Sequence, residues 1–215
     1  MTPLHLHEWG DPDKPAVVCL HGVVDHGGSY ERLARERLGA YRVVAPDLRG
    51  HGSSPFEPPW SLEQHLEDLA ELPAGAWIGH SFGGRLAFEV AAREPERVER
   101  LVLLDPALRI QGPNALRLSE EARLGRPTEA PVSFSAVIAA FGEMSRRPPA
   151  YDRIRCPVLL IRGLHESVMG PNRLRAFEEA LGDQARVVHV PAGHDVLPEA
   201  FEQTADAVAE FLAAA

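Results

Sequence analysis

The sequence predicts an α/β fold: a mostly parallel central sheet with helices on both faces and a small helical cap. Three observations lead there. Six short runs rich in Val, Ile and Leu are separated by segments of helical periodicity, the alternation expected of strands and crossover helices. The runs are apolar nearly throughout, as strands covered on both faces should be. The 215 residues, 45% hydrophobic and 25% charged, suffice for one domain with a large core and no metal or disulfide staple.

The predicted strands are AVVCL (16–20), YRVVAPD (41–47), AWIGH (76–80), VERLVLLD (98–105), PVLLIRG (157–163) and RVVHV (186–190). Helices fall between them. Ser61 with Gln64 makes a capping box for a segment in which Leu62, Leu66 and Leu69 recur at helical spacing. Phe82, Leu86 and Val90 form a second stripe, and Leu174, Phe177 and Leu181 a third, closed by Gly182. Phe201, Val208 and Leu212 give the last helix its buried face. The alternation breaks between Ala107 and Ala150, where Pro127, Pro131, Pro148 and Pro149 bracket Phe134, Ile138, Phe141 and Met144 or Ser145 near one helical face. The expected organisation is therefore a core of residues 1–106 and 151–215 with a helical cap insertion at 107–150, which is either a lid over a site or an extra packing layer, the lid being the favoured reading.

Composition narrows the function. The net charge is −9 and Lys14 is the one lysine, so no polybasic tract exists to gather phosphates, and neither nucleic acid nor membrane is an expected partner. The start, MTPLHLHEWGD, has no basic flank followed by an apolar run, and nowhere do about 18 apolar residues stand together. A soluble cytoplasmic protein is expected. Cys19 and Cys156 each lie in an apolar stretch, as small buried thiols in a reducing compartment.

The strongest chemical signal is GHSFGG at 79–84. It sets Ser81 in a G-x-S-x-G pattern directly after a predicted strand and directly before a predicted helix, the context a nucleophile elbow requires. Gly79 and Gly83 flank a turn too sharp for side chains. A serine hydroxyl needs a base, usually histidine, within hydrogen-bonding reach. His194, in PAGHD between the last strand and the last helix, would reach the same sheet edge as Ser81. His80 points away from its neighbour, His5 and His7 precede the core and His189 lies inside a strand, so packing or surface roles are assigned to them.

With these residues in place, the chain resembles the α/β-hydrolase superfamily over nearly its whole length. LHG (20–22) with VVDHGGSY resembles the family's oxyanion turn, DLRGHGSS (47–54) its D-x-x-G-x-G-x-S loop, and PVLLIRGLHE (157–166) its acid-bearing strand and turn. The resemblance implies that Ser81 attacks a substrate carbonyl and His194 accepts and returns its proton, while the backbone N–H groups of Val23 and Phe82 hold the oxyanion. For the acid it implies Glu166, in place of the usual aspartate, with Asp105 at the end of the preceding strand as the alternative; Asp195 is expected to face solvent or cap its loop. Asp25, His26 and Tyr30 after the oxyanion turn, and Phe134, Ile138 and Phe141 of the cap, are candidate pocket residues. Asp47, Arg49, His51 and Ser53 are read as local braces.

The expected activity is a serine hydrolase acting on small-molecule esters, lactones or thioesters through an acyl-enzyme, with no metal or organic cofactor implied. A perhydrolase would use the same triad. The alternatives are a lyase or carbon–carbon bond hydrolase using these residues for proton abstraction, and a non-catalytic ligand-binding member of the fold.

Overall fold

The computed structural model describes residues 3–109 and 130–214. Its sheet has seven strands: β1 (Leu6–Trp9), β2 (Ala16–Leu20), β3 (Arg42–Pro46), β4 (Gly75–His80), β5 (Val98–Leu104), β6 (Val158–Gly163) and β7 (Ala185–Val190). Their spatial order is β1-β3-β2-β4-β5-β6-β7. All neighbours are parallel except β1, which runs antiparallel to β3 with Leu6 opposite Pro46 and Trp9 opposite Val43. The six predicted strands are thus present within a residue or so of their expected ends. The edge strand β1 is an addition to that prediction: it is half-exposed and carries His7 and Glu8 among its apolar residues, so no apolar run marks it.

Because successive strand side chains point to opposite faces, the sheet separates two cores. On one side Val18, Leu20 and Trp77 pack with α2 (Leu62–Asp68), α3 (Ser81–Arg93), α4 (Phe134–Arg146) and α5 (Pro171–Leu181). On the other, Val17, Cys19, Val102 and Ile161 pack with α1 (Glu31–Glu36), α6 (Val196–Glu199) and α7 (Phe201–Ala213). The expected stripes sit where their spacing put them: Leu62, Leu66 and Leu69, then Phe82, Leu86 and Val90, then Phe201, Val208 and Leu212 are all buried. Ser61 caps α2 by accepting the Gln64 N–H at 3.2 Å. Both cysteines are free and buried.

The chain leaves β2 toward β3 on one side and enters β4 on the other, so the C-terminal ends of β2 and β4 diverge at the reversal of strand order. In open α/β sheets that crevice is where ligands bind. Ser81 and the 21–23 turn both lie at it.

Of the segment expected to form a cap, residues 110–129, including Pro127, lie outside the described residues. Its later part forms α4, capped by Ser133. The helix buries Ala136, Val137, Ala140, Phe141 and Met144, while Phe134 and Ile138 remain 48% and 49% exposed. The buried face is therefore rotated from the expected stripe: Phe141 and Met144 join the core, and Phe134 and Ile138 do not. The start of α4 is laced to the 47–54 loop, with the Gly52 N–H donating to Pro131 O at 2.8 Å and the Ser133 N–H to Gly50 O at 2.7 Å. Arg85, buried in α3, grips both ends of the excursion: its Nη1 donates to Leu108 O and, at 3.0 Å, to Arg147 O, and its Nη2 donates to Glu89 at 2.6 Å.

Candidate active site

The turn from β4 into α3 holds Ser81 at φ +51°, a left-handed conformation rare for a residue with a side chain. What permits it is the absence of neighbouring side chains. A Cβ on Gly79 would stand 2.4 Å from Gly83 O, and one on Gly83 would stand 2.2 Å from Leu20 O. The strain lifts the Ser81 hydroxyl at the end of the sheet, where functional sites characteristically store it.

His194 meets that hydroxyl. The Ser81 O–H donates to His194 Nε2 at 2.9 Å, and His194 Nδ1–H donates to Asp105 Oδ2 at 2.7 Å. Asp105 is fully buried and follows β5 with φ +38°. The carboxylate on the histidine is therefore Asp105, and the expectation of Glu166 is corrected. Glu166 sits exposed in the loop after β6. That loop contributes to the acid in another way: the Ser167 hydroxyl donates to Asp105 Oδ1 and the Val168 N–H to Oδ2 at 3.0 Å. The Asp105 N–H in turn donates to Ile161 O at 2.8 Å, and the Ala107 N–H to Ser81 O at 3.0 Å, so the acid loop is pinned to both β6 and the elbow. Sequence reasoning missed Ser167, and nothing in its spacing marks it.

The residues expected to supply the oxyanion donors, Val23 and Phe82, lie just beyond two strand ends, those of β2 and β4. The Phe82 N–H belongs to the first turn of α3, where N–H groups lack intrahelical partners and point toward the helix N-terminus. The Gly83 N–H donates to His21 O at 3.1 Å, which holds the 21–23 turn against the elbow, and a Cβ on Gly22 would stand 3.4 Å from the Ser81 Cβ. Two buried histidines brace the turn from behind. His21 Nε2 accepts the Leu48 N–H at 2.9 Å, and His51 Nε2–H donates to Val23 O at 2.8 Å. Burial lowers the pKa of both imidazoles, and that of His21, which the neighbouring His51 lowers further, falls well below the ordinary histidine range. This is the physical role of His51, and Asp47 is likewise a brace, with its carboxylate accepting the Gly27 and Ser53 N–H groups. Arg49 forms a buried ion pair with Asp68 at 2.6 Å.

His80 has more to do than packing. Its Nε2–H donates to His194 O at 3.0 Å, and the two rings lie 4.8 Å apart. Burial first, then the neighbouring His194, lowers its pKa, so it acts as a neutral tether for the loop that carries His194. Asp195 Oδ1 lies 3.7 Å from His80 Nε2, on a side chain 39% exposed.

The candidate pocket residues divide. Tyr30 is buried with its hydroxyl donating to Leu20 O at 2.9 Å, a strut under β2. His26 caps the turn at 27–30 by accepting the Gly28 N–H, and Asp25 accepts the His26 N–H at 2.8 Å. Phe141 is core. Exposed apolar side chains remain at Val24 after the oxyanion turn, at Leu164 after β6, and at Phe134 and Ile138 on α4.

Comparison with known proteins gives a consistent picture. Residues 15–128 match the model of a family described as alpha/beta hydrolase fold. Lipase LipV of Mycobacterium tuberculosis is 38% identical over 130 residues, 58% of this chain and 49% of the lipase. A pimeloyl-[acyl-carrier protein] methyl ester esterase of Nitrosomonas europaea is 34% identical over 106 residues, 48% of this chain and 41% of the esterase. The matched region spans about half or less of these curated relatives. Among solved structures, the enol-lactonase from Burkholderia xenovorans LB400 superposes with a TM-score of 0.83 at 21% identity, over 98% of this chain and 96% of the lactonase. An esterase from Thermogutta terrifontis does so at 0.81 and 25% identity, over 97% and 92%. Among the described residues no helix is long and apolar enough to cross a membrane.

Proposed function

Since the chain belongs to the alpha/beta hydrolase fold family, we propose that it is a serine hydrolase that cleaves small ester, lactone or thioester substrates through an acyl-enzyme. The observation that carries this reading is the unbroken hydrogen-bonded chain from Ser81 through His194 to Asp105.

In the first half-reaction, Ser81 Oγ attacks the carbonyl carbon while its proton passes over the 2.9 Å bond to His194 Nε2. Asp105 holds the ring in the tautomer that leaves Nε2 free to accept, and its negative charge stabilises the imidazolium that forms. The carbonyl oxygen, now anionic, is received by the N–H groups of Val23 and Phe82; losing one such donor costs about 3–4 kcal/mol in comparable sites. Collapse expels the alcohol or thiol, which takes the proton from Nε2. Water then repeats the sequence on the acyl-enzyme with His194 again as base, releasing the acid and restoring Ser81. The exposed apolar side chains Val24, Leu164, Phe134 and Ile138 support a preference for esters of apolar acids. The relatives named as a lipase and a methyl ester esterase support acyl transfer over the proton-abstraction chemistry of a lyase.

The test is trapping. A fluorophosphonate should form one adduct, on Ser81, and short p-nitrophenyl esters should release chromophore at a rate that falls at least about 10³-fold in Ser81→Ala. Ester turnover unaffected by Ser81→Ala, or an adduct elsewhere, would overturn the proposal.

A further inference from the structure

The N-terminal strand brings a second set of chemically capable side chains together against the 47–54 loop. His5 and His7 are two residues apart, and His7 lies in β1, so alternation places them on one face. Their ring centroids are 4.8 Å apart. Facing them is the buried Asp47, whose Oδ1 lies 3.0 Å from His7 Nε2. One ligand atom from each of His5, His7 and Asp47 falls within 4.8 Å of the others. We propose that these three residues form a binding site for one divalent transition-metal cation of the zinc, nickel or copper type.

The donor set selects that class. Two imidazole nitrogens and one carboxylate oxygen suit borderline cations, whereas magnesium and calcium take all-oxygen shells. The carboxylate is already fixed in place: Oδ1 accepts the Gly27 N–H at 2.8 Å and Oδ2 the Ser53 N–H at 2.9 Å. Such outer contacts orient a metal ligand before the metal arrives. The backbone around it is equally tied down, with the Asp47 N–H donating to His5 O at 2.9 Å and the His5 N–H to Ser54 Oγ at 2.9 Å. The cation takes the place of the proton now shared between His7 Nε2 and Asp47 Oδ1, and that proton moves to His7 Nδ1 as the neutral ring changes tautomer. Metal–ligand bonds of about 2.0–2.1 Å at a tetrahedral angle separate ligand atoms by about 3.3 Å. The His7–Asp47 pair therefore opens by a few tenths of an ångström, and the exposed His5 swings in. Solvent completes the shell. The bound cation would tie the edge strand β1 to the loop that His51 joins to the oxyanion turn.

Isothermal titration of the full chain, free of any affinity tag, with zinc chloride in a non-coordinating buffer tests this, with cobalt(II) absorption as a report of coordination geometry. The expected result is one equivalent bound, with tetrahedral cobalt bands and a melting temperature that rises with zinc. His5→Gln should weaken binding at least about tenfold and abolish the zinc-dependent rise, because one of three protein ligands is lost. His7→Gln should do the same, but it also removes a native hydrogen bond, so His5→Gln, which removes none of Asp47's side-chain partners, is the decisive variant. His189→Gln, at an exposed histidine of β7, should bind as wild type. No zinc binding below about 1 mM, or His5→Gln binding as tightly as wild type, would overturn the proposal.

Discussion

Replacing Asp105 by Asn keeps the side chain's shape and removes its charge. The hydrogen-bond pattern fixes how the amide will sit. The oxygen at the Oδ2 position accepts from both His194 Nδ1 and the Val168 N–H. The amide oxygen must therefore stay there, with the NH₂ turned toward Ser167, whose hydroxyl can rotate to accept. His194 keeps its tautomer, and what is lost is stabilisation of the imidazolium. A charge-assisted hydrogen bond is worth about 1.5–3 kcal/mol, roughly 10- to 150-fold in rate. Asp105 is fully buried, so solvent screens it little. Removing the acid from triads where the tautomer is also lost costs about 10⁴. The expected fall in kcat for Asp105→Asn is thus between about 10 and 10⁴, and for Glu166→Gln less than about twofold, since Glu166 is exposed. Initial rates on a short p-nitrophenyl ester, with melting temperatures as a folding control, measure both. A kcat loss in Glu166→Gln comparable to that in Asp105→Asn would refute the assignment of the acid.

Two further outcomes are expected. Ser167→Ala leaves the buried Oδ1 of Asp105 without its hydroxyl donor, which should lower kcat by about 5- to 150-fold with KM little changed, from a cost of about 1–3 kcal/mol; Ser167→Thr should recover most of the rate, and an unchanged Ser167→Ala would show that Val168 alone suffices. Stability should fall as the pH drops below about 6.5, because burial lowers the folded-state pKa of His21, His51, His65 and His80. The sign follows from proton counting: below the unfolded value the unfolded chain binds more protons, so each histidine withdraws up to about 1.4 kcal/mol per pH unit until its folded pKa is reached. Urea unfolding at pH 8, 7, 6 and 5 would detect this, and a midpoint constant across that series would contradict it.

The parts of the site that sequence revealed are those whose chemistry depends on local backbone. Gly79, Ser81 and Gly83 announce a turn that admits no other side chains, and His194 stands where a loop leaves the last strand. The acid was ambiguous for a physical reason. Asp105 and Glu166 both follow strands ending at the same sheet edge, and both take positive φ. Which carboxylate reaches the histidine depends on where the loop after β6 closes, and here it closes with Ser167 and Val168 on Asp105. The strand β1 carries no apolar run to mark it, because it lies on the sheet edge, half-exposed, with polar residues in its short span. On α4, Phe134 and Ile138 shared a helical stripe with Phe141, but spacing gives a period and not a phase, and the core took the face through Ala136, Val137 and Ala140 instead.

The grip of Arg85 on Leu108 O and Arg147 O makes the nucleophile's own helix the anchorage for the stretch between those carbonyls. One guanidinium thus holds two chain points 39 residues apart against the helix that begins with the nucleophile, so losing it would free both carbonyls in a single step.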